Sequence, residues 1–307
     1  VAPGVALIAL NPVCGSIAQW PPANGWQDLS QRALVRGAIG SNNSWNSGES
    51  YGLGYQATAR AHDFMVRDGD FDAAGNQAFV MVFSAGNAGP GPTTITVPKE
   101  AKNLIVVGNA MSARPVPQIE AIAPTSSRGP ALDGRILPTI VAPGDEIAST
   151  RRIGGSAFCG QPIAAGGANQ DFAYCSGTSM ATPHAAGLAV LLTQDWRENH
   201  AGATPSPAML KALLVNGAID MAGPPPIPNS AEGWGRVHLT RSLGSGRSRV
   251  VIDQSKLLDD ADDQFDATFL VESPDQPVRI TLAWTDAPGA PGATPALVND
   301  LDLEVVA

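Results

Sequence analysis

The segment Cys175–Gly187, CSGTSMATPHAAG, places a serine where it could act as a nucleophile. Ser179 follows the strand-like run Phe172–Tyr174 and opens a helix-forming stretch. The first N–H groups of a helix have no intrahelical acceptors, and its dipole is positive at that end. An oxyanion formed when Ser179 attacks a carbonyl would therefore be stabilised there. Pro183 fits the same reading, within the first helical turn, where a missing N–H costs little. Gly177 and Ala181 are also what a plain tight turn would use. A second group is Asn87, in Phe83–Pro90, FSAGNAGP, just past a continuous apolar run. Its amide can donate to developing negative charge, or, with Gly86 and Gly89 beside it, it can be a turn residue.

A serine hydroxyl needs a base within hydrogen-bond reach, usually a histidine oriented by a carboxylate. The chain offers His62, His184, His200 and His238. His184 is five positions after Ser179, about 140° away around a helix at about 100° per residue, so its ring points elsewhere. It reads as structural. His62 falls mid-helix, and His200 and His238 match no base pattern, so surface or core roles are expected for all three. An esterase of the G-x-S-x-G type would place its histidine after the serine, but Ala181 stands where that pattern needs glycine.

The elements that must position these groups alternate. Val5–Leu10, Ala38–Ser44, Gln77–Phe83 and Leu104–Val107 read as strands. Leu29–Arg36 and Tyr55–Arg67 read as helices, as do Ala185–Trp196 and Pro207–Asn216. Strands apolar on both faces and separated by helices predict an α/β fold, a mostly parallel sheet with helices on both faces. After residue 245 the rhythm changes. Ser248–Asp253, Asp266–Val271, Val278–Trp284 and Leu301–Val306 are short strand patterns with no helix between them. The expectation is a first domain over 1–245 and part of an all-β sandwich over 246–307. The acidic run Asp259–Asp263 reads as a solvated loop.

Composition removes whole classes of partner. Lys plus Arg number 19 against 28 Asp plus Glu, a net charge of −9, which is wrong for a nucleic-acid groove or an anionic membrane surface. No apolar run approaches the ~18 residues a membrane span needs. With 33 Gly and 26 Pro, many turns between short elements are expected. Three cysteines form an odd set. Cys159 and Cys175 either bridge, closing a loop worth about 3 kcal/mol in the chain-entropy model, or are two buried thiols. Cys14 is such a thiol or has a partner elsewhere. An oxidising compartment follows only from the bridge.

Taken together, the string Gly177–Gly187 resembles the nucleophile motif of the subtilisin-like serine peptidases. FSAGNAGP resembles the family's oxyanion-asparagine segment, and Asn43–Trp45, Ser126–Gly144 and Gly233–Val237 extend the likeness. Val278–Leu303 resembles the opening strands of the C-terminal sandwich in one branch. The resemblance implies a secreted serine endopeptidase acting on protein or peptide substrates. Ser179 would be its nucleophile and Asn87 its oxyanion donor, with Ser44, Trp45 and Asn46 pairing as a strand with the bound substrate backbone. Ser84, Ala85 and Gly86 would wall the primary specificity pocket. Asn46 departs from the family, which usually has glycine there. Trp45 reads equally as a core aromatic.

In this family Asp and His precede the serine, on segments that would lie before Val1. The 307 residues are thus expected to be a poor catalyst alone, with the base supplied by an upstream segment or, less favoured, by another chain. A non-catalytic peptide-binding scaffold is the rival reading. No cofactor is required for the chemistry. The resemblance implies structural calcium, for which Asp286, Asp300 and Asp302 are oxygen-ligand candidates unless they are simply solvated.

Overall fold

The computed structural model describes residues 2–10, 25–46, 48–114, 117–151, 159, 163, 171–222, 225–246, 248–255, 258, 264–271, 273, 275 and 277–306. Cys14 and the run Asp259–Asp263 lie outside these residues.

Four parallel strands form the sheet, in the order β1 (Gly40–Asn43), β2 (Val80–Ser84), β3 (Ile105–Ala110) and β4 (Ile140–Pro143). Alternation along β2 explains why both faces are buried. Met81 and Phe83 pack with Ala59, Met65 and Val66 of α2 (Ala57–Arg67), and Ala33 of α1 (Gln27–Leu34) joins that cluster. Val80 and Val82 face the other way, toward Ala185, Leu188 and Leu192 of α3 (Thr178–Asn199) and Leu210 and Leu214 of α4 (Pro207–Gly217). A period of two on each strand against helices on either side is the arrangement the apolar runs predicted. α4 begins cleanly because Ser206 accepts from Met209 N–H and Pro207 occupies a position needing no donor. The short α5 (Leu239–Ser242) is capped by His238.

Two strand expectations fail. Val5–Leu10 forms no ladder, and Leu7 is 87% exposed. An apolar run becomes a strand only where a neighbour supplies hydrogen bonds, and this run has none among the described residues. Beyond residue 245 the expected strands likewise run without paired partners among the described residues. In compensation, β5 (Ile147–Thr150) pairs antiparallel with β6 (Phe172–Cys175), a hairpin partner the sequence patterns did not disclose. Cys159 is joined to Cys175 at the end of β6.

The segment after Trp284 docks on the α/β unit through buried polar groups. Lys102 donates to the Asp286 carboxylate and to the carbonyls of Ala287 and Ala296, using all three ammonium protons. Asn103 and Asp286 exchange side-chain and main-chain hydrogen bonds, and Asn103 also reaches Asp63. Tyr55 donates to Asp63 and accepts from Gly289 N–H. Ala296 completes the contact by entering the core.

Candidate active site

Three chain segments meet at the carboxyl ends of the parallel strands, where open α/β sheets place their ligand sites. They are the exit of β1, the exit of β2 and the first turn of α3. Ser44, Trp45 and Asn46 come from the first, Ser84, Gly86 and Asn87 from the second, and Ser179 from the third. All seven line one cleft of about 270 Å³. Ala85 does not. It is fully buried in the core, with its N–H donating to Val107, because alternate residues leaving a strand point to opposite sides. Only Ser84 and Gly86 of the expected wall reach the cleft.

Asn87 and the helix start are locked together. Asn87 Oδ1 accepts from the Thr178 N–H at 2.9 Å and from Thr178 Oγ1 at 3.0 Å, while Thr178 Oγ1 also accepts from Gly86 N–H at 3.2 Å. With Oδ1 engaged by the helix, the amide Nδ2 remains as its donor end. Gly177 precedes this turn at φ +145°, and a Cβ there would lie 3.3 Å from both amide atoms. Only glycine meets both demands. Thr178 went unremarked in the sequence, although it sits inside the motif.

Pro183 has a different place from the one expected. Helix α3 starts at Thr178, so Pro183 is past the first turn, and its missing N–H deprives the Ser179 carbonyl of an acceptor's usual partner. Ser44 Oγ donates to that carbonyl instead, at 3.1 Å. The Ser44 hydroxyl thus ties the exit of β1 to the residue carrying the candidate nucleophile. Trp45 resolves both ways. It lines the cleft and stacks on Trp26 at 5.0 Å, with Phe83 edge-on at 5.2 Å.

None of the four histidines lines the cleft. His184 is held by the Met180 carbonyl, His200 stacks on Trp196, and His238 accepts from Arg241 N–H. His62 is 1% exposed among Trp26, Trp45 and Phe83, and burial lowers its pKa to about 4. A base whose folded pKa is depressed stabilises the fold above its ordinary value of 6.5, and that contribution is lost as pH falls toward 4. As pH falls across this window, the stability of wild type relative to His62→Phe should drop by up to about 1.4 kcal/mol per pH unit. Urea titrations of both proteins at several pH values read this directly. Asp63, raised to about 6 by burial, acts in the opposite direction and is common to both.

Asp286 does not fit a calcium site. Its carboxylate accepts from Lys102, Ala287, Val298 and both nitrogens of Asn299, leaving no oxygen lone pair for a cation. Asp300 and Asp302 are exposed, and no cluster of metal-ligating side chains occurs among the described residues.

The subtilase family pattern matches residues 31–235. Pyrolysin of Pyrococcus furiosus is 33% identical over 188 residues, covering 53% of this chain and 12% of its own length. Serine protease AprX of Bacillus subtilis is 32% identical over 151 residues, covering 48% and 31%. The chain thus spans a third or less of these curated relatives. Among solved structures, fervidolysin from Fervidobacterium pennivorans, a keratinolytic enzyme related to subtilisin, has a TM-score of 0.50 at 26% identity. The likeness covers 72% of this chain and 29% of that one.

Proposed function

This chain belongs to the subtilase family, and we propose that it carries the nucleophile half of a secreted serine endopeptidase site. Ser179 Oγ attacks the scissile carbonyl of a protein or peptide substrate, forming an acyl-enzyme that water then hydrolyses. The oxyanion is held by Asn87 Nδ2 and the Ser179 N–H, both at the positive end of α3. The reading is carried by one observation. Thr178 consumes the Asn87 carbonyl oxygen, so the amide offers a donor to the cleft that Ser179 lines. The base is an imidazole from outside the 307 residues, since each of theirs is engaged away from the cleft. It comes from an upstream segment of the same protein or from a separate chain. The Cys159–Cys175 bridge supports an oxidising destination.

A fluorophosphonate probe added to the full-length protein should form an adduct that peptide mass spectrometry maps to Ser179. Labelling that persists in Ser179→Ala overturns the assignment. Asn87→Leu removes the donor together with the oxygen that holds Thr178, so turnover of a peptide substrate should fall by at least about 10²–10³-fold. That magnitude is borrowed from subtilisin, where this kind of donor was removed. That none of the four histidines lines the cleft also favours a second reading, peptide binding without hydrolysis. Peptide affinity without any turnover in the full-length protein would select it.

A further inference from the structure

We infer that Lys99 makes the pocket behind Ser84 and Gly86 select an acidic side chain, so that the residue preceding the cut bond is Asp or Glu. The inference rests on the proposed peptidase reading for the identity of that pocket. Its physical basis is an uncompensated cation. Lys99 is 1% exposed yet lines the cleft with Ser179. At Gly86, φ +111°, a Cβ would lie 2.9 Å from Ser127 Oγ and 3.7 Å from Lys99 Nζ, so glycine keeps both groups within reach of the cleft they line. The ammonium therefore sits beside the Ser127 hydroxyl, behind the expected wall.

Lys99 has three donors and one acceptor. Nζ donates to Thr96 Oγ1 at 3.3 Å and makes no ion pair among the described residues. Lys102, one turn of chain later, shows what a compensated buried lysine looks like, with Asp286 and two carbonyls taking all its protons. The adjacent acid cannot help. Glu100 turns away to accept from the Leu132 N–H. An isolated buried ammonium is costly unless an anion joins it, and a carboxylate entering the cleft would supply the missing charge and acceptors.

The pocket also aims this group. Thr96 Oγ1 donates to Asn46 Oδ1 at 3.0 Å, which leaves its lone pairs toward Lys99. Asn46 is the position where glycine was expected, and its amide thus serves as a positioning residue for the lysine. Burial lowers the Lys99 pKa only to about 8, so it stays largely protonated at neutral pH and an incoming carboxylate would favour that form further.

The test is equilibrium binding of fluorescent peptides identical except for a C-terminal Glu, Gln, Leu or Lys, followed by anisotropy. Glu should bind about tenfold or more tightly than Gln, the size of a charge-assisted hydrogen bond over a neutral one. Lys99→Met, which replaces an unpaired charge by a similar apolar volume, should fold and erase the difference, and Lys99→Glu should shift preference to the Lys peptide. Equal binding of Glu and Gln, tighter binding of Leu, no binding of any peptide, or a Glu preference retained in Lys99→Met overturns the inference. Because no bond is cut, the readout is separate from the catalytic reading. A Glu preference in Ser179→Ala upholds Lys99 selectivity even if the fluorophosphonate finds another residue.

Discussion

Replacing Ser179 by alanine in the full-length protein should lower peptide turnover by about six orders of magnitude, the loss known for the nucleophile of subtilisin and borrowed from it here. The substitution removes the attacking oxygen and little else. Ser179 contributes its main-chain carbonyl to the Ser44 contact, and the Thr178–Asn87 hydrogen bonds do not involve its side chain. KM should therefore hold while kcat collapses, as for an interaction made only along the reaction path. What activity remains would come from water attacking a carbonyl still polarised by Asn87, so adding Asn87→Leu should lower the residual rate further. A loss of less than about tenfold in Ser179→Ala would mean that another group is the nucleophile. Initial rates with one fluorogenic peptide, measured on the single and double variants, decide it.

The groups that could be read from the sequence are those whose meaning is local. Ser179 sits in a long unbroken motif, Asn87 sits between two glycines after an apolar strand, and the periodicity of Val80–Phe83 states which faces are buried. What could not be read depends on distant partners. Nothing near Ser44 in sequence announces that Pro183 will orphan the Ser179 carbonyl 135 residues away. Thr178 gains its role only when Gly86 and Asn87 arrive from across the sheet. Lys99 and Lys102 are three residues apart in a segment of ordinary composition, yet one meets Asp286 and the other an open cleft. Val5–Leu10 has a strand's composition but no ladder partner, and Ala85 lies inside a matching motif but faces the core. Pattern fixes which residues want burial. The partner each of them finds is set by the packing of remote segments.

The same contrast makes Asp286 the strongest stability prediction. Asp286→Asn keeps the volume at this site and removes its charge, leaving Lys102 buried with no compensating anion. Breaking a buried pair from one side costs about 3–5 kcal/mol, because the remaining ion keeps its desolvation penalty and loses its partner. Burial alone would push the Asp286 pKa up, but the Lys102 ammonium and the Val298 and Asn299 N–H groups overcome this and hold it below the ordinary 3.8. A carboxyl whose folded pKa is depressed stabilises the fold above its unfolded value and loses that contribution as pH falls through the folded one. The gap between wild type and Asp286→Asn should then be complete at pH 7 and begin to close only below about pH 4. Urea unfolding at both pH values measures it. Lys102→Met alone should cost less, since the carboxylate keeps the N–H donors of Ala287, Val298 and Asn299. The double variant Lys102→Met with Asp286→Asn should lose less than the sum of the two, the shortfall being their coupling. Additive losses would show that each residue acts through its main-chain hydrogen bonds alone, and that the ion pair is not what docks residues 285–299 on the α/β unit.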